Sequence, residues 1–338
     1  MNAQNIQGLS VSRAEAGQKL LNFLLRRVDA GKGELHRWIR TGQVRINGRR
    51  AGAFDRIEEG DIVRVPPFAV LLPAGSRGHA TPFLGQEDAV RSSLNIVYED
   101  EDVLVIDKPS GLPVQGGTGH RDSVAARLAR ERAGAGFVPA PVHRLDRDTT
   151  GLLAAGKTYA AVRLLTDALA GRGGTPLRKE YLAWAEGRWP GAEARELRHF
   201  LFKDSRTQRV RALPAPAAGT VEARCIVTPL ETRTIHDREY SLLLVHLLTG
   251  RTHQIRAQLA ACGHAVAGDP WYGTDGRPSF GLKLHAFRLE LPLPRKGLTV
   301  LTCPPHWSFP WEVSDSLSDL ERSRTGVKLF VPNVFSED

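Results

Sequence analysis

The run at residues 240–248, Tyr-Ser-Leu-Leu-Leu-Val-His-Leu-Leu, constrains the fold most. It is nearly continuous apolar and lacks the strict alternation of a half-exposed strand, so it reads as a strand buried on both faces. It passes into Thr249-Gly250-Arg251-Thr252 and then into a helical pattern over 253–262. There Ile255, Leu259 and Cys262 fall on the inward face, with Thr252 as the expected cap and Gly263 as the stop. Arg251 is thereby set at a strand-to-helix turn, where a rigid frame often carries function. Arg256, one turn further on, reads as one half of a structural ion pair.

A second stretch carries more chemistry. In Val142-His143-Arg144-Leu145-Asp146-Arg147-Asp148-Thr149-Thr150-Gly151, the Asp146 carboxylate stands among His143, Arg144 and Arg147. Nearby positive charge favours the ionised carboxylate, which suits a nucleophile or a base. An exposed loop with a local ion pair accounts for the charges equally well. Thr149-Thr150-Gly151 turns the chain into a strand. Further on, Lys179-Glu180-Tyr181-Leu182-Ala183-Trp184-Ala185 has strand character. Tyr181, Ala183 and Ala185 share a face by period two, so small neighbours leave the Tyr181 ring open to a flat ligand. A core tyrosine is the plain alternative.

The first 66 residues form a separate pattern. Leu20, Leu24 and Val28 recur at helical spacing, widened by Leu21 and Phe23. After a glycine-containing break, Leu35, Trp38 and Ile39 make a second apolar face, opposite His36, Arg37 and Arg40. Asn47-Gly48, between short strand patterns, is a tight-hairpin signal. The region holds 12 Lys/Arg against 7 Asp/Glu, more than half of the chain's net charge of +9. A basic helix face beside a basic hairpin suggests a polyanionic partner. Arg37, Arg40, Arg45, Arg49 and Arg50 are the candidates for phosphate contacts, which position a nucleic acid but carry little sequence information.

The expected organisation is a tail at 1–11, a small domain at 12–66, a linker at 67–92, a larger domain at 93–315 and an extension at 316–338. No apolar run approaches the ~18 residues of a membrane span, and residues 1–10 lack a secretory pattern. Cys225, Cys262 and Cys303 are far apart and odd in number, which fits neither a zinc spacing nor a disulfide framework. The expected compartment is the reducing cytosol. His143, His253, His264 and His285 have no tight ligand spacing, so no metal is expected.

Three of these segments, in this order, resemble the large-ribosomal-RNA branch of the pseudouridine synthases, the family of synthases A, C and D. His143-Arg144-Leu145-Asp146 is similar to its aspartate signature, Lys179 to Ala183 to its tyrosine motif, and Thr249 to Arg256 to its arginine motif. Arg40 to Gly48 and Glu59 to Val63 resemble an alpha-L RNA-binding domain. The resemblance implies an α+β fold: a mixed, mostly antiparallel, bifurcated sheet with flanking helices, preceded by a small α/β RNA-binding domain. It implies Asp146 as the catalytic residue, Arg251 as its ion-pair partner, Tyr181 as the group stacking on the uracil, and Arg144 as the residue assisting base flipping.

The implied reaction breaks the bond from the anomeric carbon to the base nitrogen and forms one to ring carbon five. It transfers neither electrons nor an external group, so no cofactor is expected. The implied partner is large-subunit (23S) ribosomal RNA, acted on in the cytoplasm by a monomer. The alternatives are a transfer RNA substrate, glycosidic hydrolysis, and a non-catalytic ribosome-assembly factor. A hydrolase normally needs a second carboxylate, and here the near candidate is Asp148.

Overall fold

The computed structural model describes residues 7–72, 93–116, 122–132, 136–172, 177–204, 206–207, 209–274, 280–313 and 329–330. The expected linker falls outside them from residue 73 onward, as does the expected extension at 316–338 apart from two residues.

The small domain comprises β1 (Gln7–Ser10), α1 (Leu20–Arg27), α2 (Lys32–Arg40), β2 (Arg45–Ile46), β3 (Arg49–Arg50) and β4 (Ile62–Val65). Its sheet has the order β1-β4-β2-β3. The helical stripes do what their spacing predicts: Leu20, Phe23, Leu24 and Val28 pack with Leu35, Trp38 and Ile39 in one core that also takes Val63 and Val65. Asn47 and Gly48 both have positive φ, 50° and 78°, the two-residue hairpin geometry that keeps Arg45 opposite Arg50.

Both ends of this domain lie beyond their expected limits. Residues 7–10, expected as tail, form β1 and pair with β4 from Gln7↔Val65 to Ser10↔Ile62. Only Leu9 of that strand is buried, too little alternation to read as a strand. Past Pro66-Pro67, Ala69 enters the same core, Asp29 N donates to Val70 O at 2.8 Å, and Leu72 N donates to Arg27 O at 2.9 Å.

The chain divides into two compact units. One is Met1–Val105 with Pro113–Arg144 and Ala154–Asp167; the other is Ile106–Leu112 with Leu145–Leu153 and Ala168–Asp338. The larger fold adds β5 (Asn95–Glu99), β6 (Val103–Lys108), α3 (Val124–Glu131), β7 (Ala140–Pro141), β8 (Thr150–Gly156) and α4 (Tyr159–Leu169). Ser123 caps α3: its Oγ accepts from Ala126 N at 3.1 Å. Asp122 instead pairs with Arg127 at 2.8 Å.

The second unit continues with β9 (Lys179–Glu186), β10 (Arg195–Lys203), β11 (Val210–Leu213), β12 (Val221–Ile235), β13 (Arg238–Leu247), α5 (Gln254–Ala261), β14 (Leu284–Leu293), β15 (Gly297–Thr302) and β16 (Leu329–Phe330). Its strands run β11-β10-β12-β13-β9-β14-β8. Pairing is antiparallel except between β14 and β8 and between β15 and β16. The sheet forks at β14, whose first residues pair with β8 (His285↔Thr150) while its later ones pair with β15 (Arg288↔Thr302). The architecture is mixed α+β with a large, mostly antiparallel sheet. Within β13, the buried run Tyr240–Val245 is the expected doubly covered strand, with β12 and β9 on its two edges.

Helix α5 is buried over Gln254–Leu259, polar residues included. Gln258 is fully buried, and its Nε2 donates to Leu197 O and Ala223 O, both at 3.2 Å. Those two bonds fasten the helix onto β10 and β12 and fix the direction of its other face.

Candidate active site

Residues Leu145 to Thr149 lead directly into β8, and three sets of contacts within the second unit shape this loop. Thr149 N donates to Asp146 O at 3.2 Å, closing a turn behind Asp146. Ser110 Oγ donates to Asp148 O at 3.3 Å. Lys108 is fully buried and spends its ammonium on three carbonyls: Pro109 at 2.8 Å, Leu112 at 2.9 Å and Arg147 at 2.8 Å. Burial lowers the Lys108 pKa to about 8, although Asp148, Asp146 and Asp107 all favour its charge.

Directly after the loop, Gly151 pairs with Ala286 at φ +102°. A Cβ there would lie 2.4 Å from Ala286 O, so only glycine lets β8 approach β14 so closely.

The Asp146 carboxylate is partly exposed, at 23 %, while the groups behind it are buried. Arg256 Nη1 donates to Asp146 Oδ2 at 3.1 Å. The other edge of that guanidinium is bidentate on Asp269, Nε to Oδ2 at 2.7 Å and Nη2 to Oδ1 at 2.8 Å. Asp269 Oδ1 also accepts from Trp271 N at 2.9 Å and Tyr272 N at 3.1 Å. The preceding Gly268 permits this turn at φ +76°, since a Cβ would lie 2.0 Å from Gly281 O. Burial opposes the Arg256 charge, but Asp269 and then Asp146 more than offset it, and the guanidinium pKa is raised.

His253 completes the group. It precedes α5 in the left-handed conformation, φ 51°, and it rather than Thr252 occupies the cap position, without a side-chain cap. Its Nε2 is 3.9 Å from Asp146 Oδ2 and its Nδ1 is 3.2 Å from the Tyr272 hydroxyl. That hydroxyl accepts from Val210 N at 3.0 Å. Burial lowers the His253 pKa, with Asp146 acting in the opposite direction, which keeps the ring neutral near pH 7. The described contacts of the carboxylate thus all converge on Oδ2.

Arg251 does not make the expected pair with Asp146. It is exposed; its Nε donates to Glu222 O at 3.2 Å and its backbone N to Gln254 Oε1 at 3.0 Å. The reason is the helix start. With α5 beginning at Gln254, His253 and Arg256 lie three apart and share a face, whereas Arg251 stays in the preceding turn. Arg256, read from sequence as structural only, holds Asp269 and Asp146 at once.

Tyr181 lies in β9 opposite Val245 of β13 and Ala286 of β14. It is buried rather than open, and its hydroxyl makes no hydrogen bond among the described residues. Burial first, and the Asp146 charge second, raise its pKa. Arg144 is exposed. In the small domain Arg37, Arg40, Arg49 and Arg50 are exposed, whereas Arg45 is half-buried and donates to Gly42 O and Gly48 O at 3.2 Å each.

Asp269, His253, Tyr272 and Lys108 were not among the expected site residues. The signal for Lys108 was its place directly before Pro109, just after the apolar run Val103–Ile106, and that for Asp269 was a carboxylate between Gly268 and Pro270. A separate buried group, Asp107, His285 and Cys303, brings its potential ligand atoms within 4.8 Å of one another. Both His285 nitrogens are already engaged, Nδ1 with Thr150 Oγ1 and Nε2 with Cys303 O, each at 2.8 Å. Metal binding through His285 would have to displace one of these bonds.

Residues 102–261, which contain Asp146, Tyr181, His253 and Arg256, match the family model described as RNA pseudouridylate synthase. The chain is 34 % identical over 308 residues to Ribosomal large subunit pseudouridine synthase C of Pasteurella multocida, covering 88 % of this chain and 89 % of that protein. It is also 34 % identical to the protein of the same name from Escherichia coli, covering 80 % of each. Among solved structures, Human RNA Pseudouridylate Synthase Domain Containing 1 shares the fold with a TM-score of 0.56, at 24 % identity over 69 % of this chain and 96 % of that one.

Proposed function

Because the chain belongs to the RNA pseudouridylate synthase family, we propose that it converts specific uridines of large-subunit ribosomal RNA to pseudouridine, with Asp146 as the reacting group. The observation that carries this reading is the one-sided grip on the carboxylate. Arg256 holds Oδ2, while Oδ1 has no hydrogen bond among the described residues. A positioned carboxylate oxygen with a free lone pair is what the reaction needs. It serves either route open to a carboxylate: attack on the anomeric carbon, or removal of a proton from the neighbouring sugar carbon.

The roles of the other groups follow from their chemistry. The target uridine has to leave its stack before Asp146 can reach the sugar. Arg144, exposed two residues before Asp146, enters the space the base leaves. Tyr181 keeps its proton, since burial pushes its ionisation far above neutral pH. Its part on this reading is to stack against the uracil. The bond to N1 breaks, the base turns, and the bond to carbon five forms. The carbon-five proton leaves and N1 gains one, so atoms balance with no external reagent.

The exposed arginines of the small domain hold RNA phosphates. The relatives named above carry the C-type name, which supports large-subunit RNA over transfer RNA as the substrate. On this reading the enzyme works as a monomer in the cytosol. The described residues include no helix long and apolar enough to cross a membrane.

The test is pseudouridine mapping of 23S RNA from cells lacking the gene, complemented with wild-type or Asp146→Ala protein. Specific sites should vanish in the deletion and return only with wild type. An unchanged map in the deletion would sink the substrate, and full restoration by Asp146→Ala would sink the assigned residue.

A further inference from the structure

Four of the six tryptophans, Trp38, Trp184, Trp189 and Trp311, are buried, and Trp307 is half-buried. Trp271 is 37 % exposed. It is nevertheless held in place. Its backbone N donates to Asp269 Oδ1 at 2.9 Å. Its ring meets the His253 ring edge-on, with centroids 4.9 Å apart, and the Arg256 guanidinium lies 5.6 Å from its centre.

An indole that only filled space behind Arg256 would be covered. This one is fixed on one side by two residues that contact Asp146, and the rest of it faces solvent. Exposed Lys203 and Arg147 bear electrostatically on His253 and Arg256 respectively, so positive charge lies near the two residues that hold the ring.

Flipping a uridine out of an RNA strand leaves its neighbours without a stacking partner. A rigid aromatic ring beside the reaction centre replaces that partner at little entropic cost. We propose that Trp271 is the platform on which a base flanking the target uridine stacks, making it a substrate-positioning residue that selects single-stranded RNA at the site. The inference rests on the proposed function.

The experiment compares wild type, Trp271→Ala and Trp271→Phe on a transcript of large-subunit ribosomal RNA, measuring KM and kcat for pseudouridine formation. It also follows the quenching of tryptophan emission as RNA is added. Removing one stacking platform raises KM for the alanine variant about 10-fold, with the smaller change in kcat. Phenylalanine restores a large part of the affinity, and the RNA-dependent quench shrinks in both variants. A wild-type KM in folded Trp271→Ala, or a quench unchanged by either substitution, overturns the stacking role while leaving the proposed function intact. Absence of pseudouridine formation by the wild type on the transcript overturns the substrate reading, and this inference with it.

Discussion

Arg256 reaches Asp146 through Nη1 alone, at 3.1 Å, because its Nε and Nη2 are committed to Asp269. The guanidinium is thereby oriented by a fully buried carboxylate before it meets the partly exposed one. Asp269 also gathers the backbone of Trp271 and Tyr272, and the Tyr272 hydroxyl lies against His253. One buried acid thus sets the positions of Arg256, Trp271 and Tyr272.

Asp146→Asn keeps the size of the side chain and removes its charge. Pseudouridine formation is expected to fall by about 10³-fold or more, as when a reacting nucleophile or base is removed. Thermal stability should change little, since the side chain is partly exposed. Single-turnover assays alongside a melting curve check both parts.

Arg256→Met leaves Asp269 buried and unpaired, so unfolding free energy should drop by about 3–5 kcal/mol. Arg256→Lys, which cannot grip two carboxylates in a fixed plane, should cost about 100-fold in kcat. Arg251→Met, at an exposed position, should lose well under 1 kcal/mol. Urea denaturation of the variants decides which arginine supports the site; a larger loss for Arg251→Met would reverse the assignment.

Gly151→Ala places a methyl group 2.4 Å from Ala286 O in a backbone at φ +102°. The β8–β14 pairing that anchors the Asp146 loop must then shift. A destabilisation of about 3 kcal/mol or more is expected, with kcat reduced together with stability. A structure or melting curve indistinguishable from wild type would remove the close-approach argument.

His285 is buried and neutral, and burial lowers its pKa to about 4 from an ordinary 6.5. Between those values the unfolded chain binds a proton that the folded one refuses, so stability falls as pH drops from 6.5 toward 4. His285→Gln should show a weaker acid dependence over this window, although it is less stable at neutral pH. Urea midpoints at several pH values measure the difference, and parallel slopes would refute it.

Replacing Arg37, Arg40, Arg49 and Arg50 together with alanine should weaken RNA binding and flatten its salt dependence. The slope should fall by about 0.7 for each phosphate that these side chains neutralise in the wild type. Folding should persist, because all four side chains are exposed. An unchanged salt slope would mean that RNA does not lie against this face.

Local spacing made some elements readable. The stripes of Leu20, Phe23, Leu24 and Val28 and of Leu35, Trp38 and Ile39 became buried helix faces, and Asn47-Gly48 became the hairpin turn. Residues 190–236 carry little periodicity in sequence, although they contain β10, β11 and all of β12. In β10 only Leu197 and Leu201 are buried, and β12 turns small residues such as Ala223 and Cys225 inward. Alternation is faint when inward positions are few or small.

The sequence by itself determined the elements whose burial follows a short period, the basic bias of the first 66 residues, and the position of Asp146 in a turn before a strand. Tertiary structure alone decided which arginine meets Asp146. Arg251 and Arg256 are five residues apart in one motif, and composition does not rank them. The helix begins at Gln254 because His253 takes a left-handed conformation and Gln258 fastens α5 to β10 and β12. That orientation turns Arg256 toward two carboxylates, 110 and 13 residues away in sequence. Ion pairs across such separations depend on packing, and no local periodicity encodes them.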